Sequence, residues 1–214
     1  IHTFTHFCAG AIDIMADEER RLVGLAQRGD VESFNTLVRA YEGRVYNLCY
    51  RMLGDPDGAA DAAQDSFLSA FRNLRSFRGG SFRSWMLRIA TNTCYDQLRL
   101  RKRRPAVSLD IETDDEDSSP LQIADMSESP SDFVLRRELA AAIQRGLDDL
   151  PDEQRVMVVL SDIEGLAYDE IAQITNTNLG TVKSRLSRGR ARLRDILKAG
   201  ELLPSRYRHE GDGS

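Results

Sequence analysis

Thr181, Lys183, Ser184, Arg185, Ser187 and Arg188 lie together in a basic segment near the C-terminal end. Their types match the edges of base pairs: Arg and Lys can pair with guanine O6 and N7, and Ser can serve several bases. Beyond them Arg190, Arg192, Arg194 and Lys198 oppose a single acid, Asp195, and such later cations suit phosphate oxygens. No comparable set supports catalysis. The three histidines are His2, His6 and His209, so no Ser-His-Asp constellation can be assembled from the central part of the chain. A phosphate-binding glycine loop is missing, and Cys8, Cys49 and Cys94 lack metal-ligand spacing. The sequence therefore reads as a binding protein, not an enzyme, with neither a cofactor nor a metal.

The basic segment needs a scaffold. Ala167 to Leu193 contains a short apolar-patterned helix, the turn Thr175-Asn176-Thr177-Asn178 and a longer helix, which is the helix-turn-helix layout. Ile171, Ala172, Val182 and Leu186 are the positions expected to lock the two helices together. Asn176 can take the left-handed conformation that closes such a turn. In this geometry the N-terminal part of the second helix enters the major groove.

Upstream, Phe34, Leu37, Val38, Tyr41, Val45, Leu48, Cys49 and Met52 recur at spacings of three and four, the stripe of a long helix ended by Gly54-Asp55-Pro56. A third helix is expected over Ala59 to Leu74, and a fourth from Phe82 to the basic run Arg99–Arg104. Phe67, Phe71 and Trp85 are read as core, and Cys49 and Cys94 as buried free thiols of a reducing, cytoplasmic compartment. From Asp110 to Asp132 there are nine acids and no base, a composition that cannot offset its ordering entropy. Hydrophobic residues are 41% of the 214, and no apolar run reaches the roughly 18–20 residues that span a bilayer. Membrane insertion and a signal peptide are not expected; Met15 looks like a natural beginning. The expectation is an all-α chain with two helical domains at 18–104 and 133–199. A flexible acidic linker at 105–132 joins them, with an extension at 1–17 and a tail at 200–214. The net charge of −5 hides the basic C-terminal helix.

Gly180-Thr181-Val182-Lys183-Ser184-Arg185-Leu186-Ser187-Arg188 resembles the promoter −35-reading helix of extracytoplasmic-function sigma factors of the sigma-70 family. Leu150-Pro151-Asp152-Glu153-Gln154-Arg155 and Glu164 to Ala172 resemble earlier parts of the same domain. One departure is Gly189, where Ala is usual; a glycine there costs about 1 kcal/mol of helix. Asp61 to Phe67 with Ala70-Phe71 resembles the family's helix that docks on the polymerase clamp helices. That resemblance implies Asp61, Gln64, Asp65 and Ser69 as core-polymerase contacts. Ser76 to Phe82, Trp85 and Arg88 to Asn92 resemble the region that opens the −10 element. It implies Phe77, Arg78, Gly79, Gly80, Ser81, Phe82 and Asn92 as −10 contacts, with Arg99–Arg104 near the DNA backbone. Capturing an extruded base needs close backbone approach, stacking and an amide to read the base edge.

The resemblance further implies that core RNA polymerase (clamp helices and flap), promoter DNA and an anti-sigma factor are partners. It implies that the acidic linker lies in a basic channel of the polymerase. The alternative is a stand-alone helix-turn-helix regulator, which accounts for 133–199 but not for the Asp61–Phe71 and Phe77–Asn92 patterns.

Overall fold

The computed structural model describes residues 17–103 and 130–199, and all of their regular structure is helical. Residues 1–16 of the expected N-terminal extension, residues 105–129 of the acidic linker and the tail lie outside the described residues. Helix α1 occupies 17–27. Helix α2, Val31–Leu53, starts where the Asp30 carboxylate accepts the Glu32 N–H (3.3 Å) and the Ser33 hydroxyl (2.5 Å). It ends at Gly54, whose φ of 70° turns the chain while its N–H donates to Tyr50 O. Helix α3, Pro56–Asn73, begins with the Asp55 cap and Pro56 in the first turn, where a missing N–H is harmless. A 3₁₀ turn, Leu74–Ser76, leads to the glycine loop and to α4, Phe82–Arg103.

These helices enclose one core. Val45, Leu48, Cys49 and Met52 of α2 meet Met86, Leu87, Ala90 and Cys94 of α4, all fully buried. The buried face of α3 is small (Ala59, Ala62, Ser66, Ala70), which lets its backbone approach α2 and α4 closely. Cys49 and Cys94 are buried free thiols, as expected. The hydrogen bond with Cys94, and then burial, push the Cys49 thiol up.

The second unit contains α5, Pro130–Asp148, and α6, Asp152–Val158. A widened π-helical turn comes next at Val159–Ile163, then α7, Tyr168–Thr175, and α8, Leu179–Ala199. Helix α5 thus opens three residues before the expected domain start. Leu147, Val156, Met157, Val159, Leu160, Ile171, Val182 and Leu186 form its core.

One expectation about aromatics is corrected. Phe71 is not core: it is 49% exposed, with its ring 5.0 Å from Phe34. Phe67 and Trp85 are partly buried and pack against the core.

The two helical units are packed together, which the sequence did not suggest. Gln144, Arg155 and Arg51 tie the C-terminal end of α2 to α5 and α6. Arg155 Nη1 donates to Met52 O (2.6 Å), Gln144 Nε2 to Tyr50 O (3.4 Å) and Arg51 Nη1 to Gln144 Oε1 (3.1 Å). The last carbonyls of a helix lack intrahelical donors, and cations complement that end of its dipole. Further along the seam Lys102 pairs with Asp152 (2.6 Å) and Ser84 Oγ donates to Glu170 (2.6 Å).

Candidate nucleic-acid interface

Helices α7 and α8 form the helix-turn-helix. Asn176 is left-handed (φ 50°, ψ 46°) and donates its N–H to Ala172 O, closing α7 as its sequence position suggested. Thr177 N–H also donates to Ala172 O (3.0 Å). Asn178 then accepts the Thr181 N–H through its side chain (2.8 Å), an N-cap for α8 that the sequence reading passed over. Ile171 and Val182 are fully buried and Leu186 is 1% exposed, so α8 is rigidly seated on α7.

The six candidate readers do not form one equivalent set. Lys183, Ser184, Ser187 and Arg188 are exposed, and Thr181 is half-buried. Arg188 lies back along its own helix, its Nε donating to Ser184 O (3.2 Å). Arg185 turns inward and pairs with Glu153 of α6 (2.6 Å), its side chain 23% exposed. Of the later arginines, Arg190 is a brace. Its Nε donates to Asp162 Oδ2 (2.9 Å) and its Nη2 to Oδ1, and Asp162 raises the affinity of that guanidinium for its proton. A shallow groove of about 490 Å³ runs beside α8 between Tyr168, Lys183, Ser187 and Arg194.

Gly189 has a packing reason. A Cβ there would stand 3.0 Å from Val158 Cγ2 and 3.2 Å from Gln154 O, so the glycine lets α8 lie directly on α6.

The second cluster is the loop before α4. Gly79 and Gly80 have φ of 94° and 90°, which only glycine adopts freely, and a Cβ at either would meet nothing within 4 Å. Arg78, Gly79, Gly80 and Ser81 are exposed. The aromatics divide. Phe82, an expected −10 contact, is 3% exposed and packs edge-on against Tyr41 (5.5 Å), so it braces the loop and is not available to stack on a base. Phe77 is half-buried, 5.3 Å from Trp85 and 5.8 Å from Phe82. Gln27 of α1 holds the N-terminal shoulder of the loop, donating to Leu74 O (3.0 Å) and Phe77 O (2.7 Å). No short-range pattern could have revealed that role.

A cavity of about 330 Å³ opens between Phe77, Ser81, Trp85 and Arg88 on one side and Glu170, Gln173 and Ile174 of α7 on the other. Asn92 is exposed but stands one helical turn beyond Arg88, outside this lining.

On α3, Asp61, Gln64 and Asp65 are exposed and Ser69 is half-buried, with its carbonyl accepting Asn73 Nδ2 (2.8 Å). Leu68 (45% exposed) and Phe71 continue the same surface, adding apolar area to a face read from sequence as polar. The basic end of α4 is partly spent on structure. Arg101 donates to Asp55 (2.6 Å) and Leu53 O (3.2 Å), while Arg99 pairs with Asp96 of its own helix (3.4 Å). Arg104 lies outside the described residues.

Two helical units, one with a glycine–aromatic loop and one ending in an exposed basic helix, give the architecture of a helix-turn-helix protein. Residues 37–104 match the family model for sigma-70 region 2, and residues 140–193 match sigma-70 region 4. The ECF RNA polymerase sigma factor SigW of Bacillus subtilis is 38% identical over 182 residues, 84% of this chain and 96% of its own length. SigE of Mycolicibacterium smegmatis is 39% identical over 165 residues, 77% of this chain but 62% of that longer relative. Among solved structures, RpoE of Bartonella quintana, in complex with the anti-sigma factor NepR, is 25% identical with a TM-score of 0.58, covering 78% of this chain and 98% of its own. CnrH, in complex with the cytosolic domain of CnrY, shares the fold at 24% identity (TM-score 0.60, 86% of this chain, 99% of its own). The chain belongs to the extracytoplasmic-function RNA polymerase sigma factors of the sigma-70 family. Among the described residues no helix is long and apolar enough to cross a membrane.

Proposed function

We propose that this sigma factor acts in the cytoplasm, binds core RNA polymerase, reads a −35 element with α8 and opens a −10 element at the Phe77–Ser81 loop. The polymerase performs the chemistry. The single observation that carries the reading is the pairing, in one chain, of an exposed basic recognition helix with an exposed glycine loop beside aromatic rings. A helix suits the major groove of duplex DNA, while a loop free of side-chain crowding suits a displaced base.

Within α8, Lys183, Ser184, Ser187 and Arg188 are the base-reading candidates, Thr181 supports them, and Arg185 acts once it leaves Glu153. At the loop, Arg78, Gly79, Gly80 and Ser81 approach the strand, Phe77 offers a ring, and Asn92 engages the neighbouring nucleotide. Asp61, Gln64, Asp65 and Ser69 dock on the clamp helices, with Leu68 and Phe71 completing that face, and the second unit meets the flap. We assign 18–104 to polymerase and −10 contacts, 105–132 to the linker and 133–199 to −35 contacts. An anti-sigma factor is a further partner, as it is for the Bartonella relative.

Run-off transcription with core enzyme on a genomic promoter library tests the whole reading. The expected result is a discrete set of transcripts sharing two elements. Transcription-independent binding to duplex DNA, with no association to core enzyme, would instead identify a stand-alone regulator.

A further inference from the structure

Between Ser66 and Tyr95 the chain carries five arginines and no acidic residue, the reverse of the linker's composition. The fold gathers part of that charge. The Gln27 amide donates to Leu74 O (3.0 Å) and Phe77 O (2.7 Å), and each of the three residues so joined is followed by an arginine: Arg28, Arg75 and Arg78. One side chain of α1 thus holds three cationic positions at one shoulder of the glycine loop. All three arginines are exposed, and among the described residues none of them has an ion pair or a side-chain hydrogen bond. Other exposed arginines of this unit are paired: Arg20 with Asp17, Arg21 with Glu18, Arg39 with Glu32 and Arg101 with Asp55. Acids close to the shoulder are engaged elsewhere. Asp30 caps α2 through the Glu32 N–H and the Ser33 hydroxyl, and Glu170 accepts the Ser84 hydroxyl.

Like charges held together without a counter-charge repel one another, and an anion laid across them relieves that repulsion. Beside them lie two glycines with open space around them and the half-buried ring of Phe77. Cations that follow a backbone, next to a ring on which a base can stack, are the elements of a single-strand site.

We propose that Arg28, Arg75 and Arg78 form a phosphate rim, organised by Gln27, over which the backbone of the displaced DNA strand leaves the Phe77–Trp85 rings. The identity of the strand rests on the proposed −10 reading; the rim itself rests on the Gln27 bridge and the three unpaired cations.

The rim is tested in holoenzyme assembled with core RNA polymerase, with a random single-stranded DNA pool and the matching duplex pool as probes. Each phosphate contact contributes roughly 0.7 to the slope of log affinity against log salt on a single strand. Replacing one of the three arginines by alanine should therefore flatten the slope by about 0.7, and replacing all three by about 2. Between about 50 and about 200 mM salt, the unmodified protein should lose roughly twentyfold more affinity than the triple alanine variant. Arg28→Lys/Arg75→Lys/Arg78→Lys keeps the charge and should keep the slope. Arg39→Ala removes an equal charge on α2 and should leave the slope unchanged. Gln27→Ala removes no charge, yet should lower single-strand affinity at low salt by letting the three positions part.

An unchanged slope in the triple alanine variant overturns the rim. So does an equal flattening on the duplex pool or with Arg39→Ala, since either makes the effect one of general charge. Permanganate footprinting on a promoter recovered by run-off transcription separates the rim from the −10 reading. A flattened slope with −10 opening intact leaves the rim standing and counts against that reading. An unchanged slope beside an opening defect in Gly80→Val removes the rim alone.

Discussion

The two regions to which DNA contacts are assigned by proposal are built in opposite ways. Helix α8 carries its proposed readers on a regular backbone, capped by Asn178 and fixed by Val182 and Leu186, and lies on α6 through Gly189. The Phe77–Ser81 loop has two successive left-handed glycines and open space around them, with order only at its shoulders, where Gln27, Phe82 and Tyr41 hold it. A duplex has a fixed shape and rewards preorganised side chains. A single strand must be caught as it leaves the stack, and rewards a backbone that can be approached closely. Rigid packing is therefore spent on the first region and accessible backbone on the second.

If that contrast holds, the largest effect comes from loosening α8. Leu186→Ala should destabilise the second unit by about 2–5 kcal/mol in urea or thermal unfolding and abolish duplex reading. A loss below about 1 kcal/mol would mean that α8 is not held by this core. Gly80→Val should behave differently. It meets no neighbour, yet forces a β-branched residue to positive φ, a strain of about 1–3 kcal/mol. Core-polymerase affinity should be intact and permanganate reactivity of the −10 region reduced, with recovery on a template carrying a pre-melted bubble. Equal failure on both templates would remove the loop from strand opening.

Lys183→Ala and Arg188→Ala should each weaken −35-dependent transcription by about 1–3 kcal/mol and relax preference at one base pair. A uniform weakening on every sequence, with a changed salt slope, would make them phosphate anchors instead. Asn92→Ala should show the smallest loss, about 0.5–1.5 kcal/mol for a hydrogen bond made from beyond the cavity lining. A melting defect as large as that of Gly80→Val would relocate the base pocket toward Asn92.

Local patterns made much of this legible. The α2 stop at Gly54, the α7–α8 turn at Asn176 and the locking residues Ile171, Val182 and Leu186 all come from periodicity and turn chemistry, and all stand as expected. Failures came where a side chain answers to something distant. Phe71 sits on an apolar stripe yet faces outward, because periodicity locates a face but not what covers it. Phe82 looked like a loop aromatic and is core because Tyr41 lies opposite. The Arg185 ion pair with Glu153, which lies 32 residues earlier, was likewise out of reach of any local pattern. The seam between the units was invisible, since Arg155 and Met52 are brought together only by the tertiary fold.

The π-helical turn at Val159–Ile163 has its own consequence. Its wide register, with Glu164 N–H reaching back to Val159 O (2.9 Å), aims nearby acids in different directions: Asp162 toward Arg190 in its own unit, Glu164 across to Arg44 and Arg83. Such a turn is an α-helix with one residue added. Deleting that residue would leave every side chain type intact but rotate the downstream chain by about 100°. The two acids could then no longer serve both partners at once. The phase of a single helix thus records whether one length of chain can serve two neighbours, and a change of length there would matter more than most changes of identity.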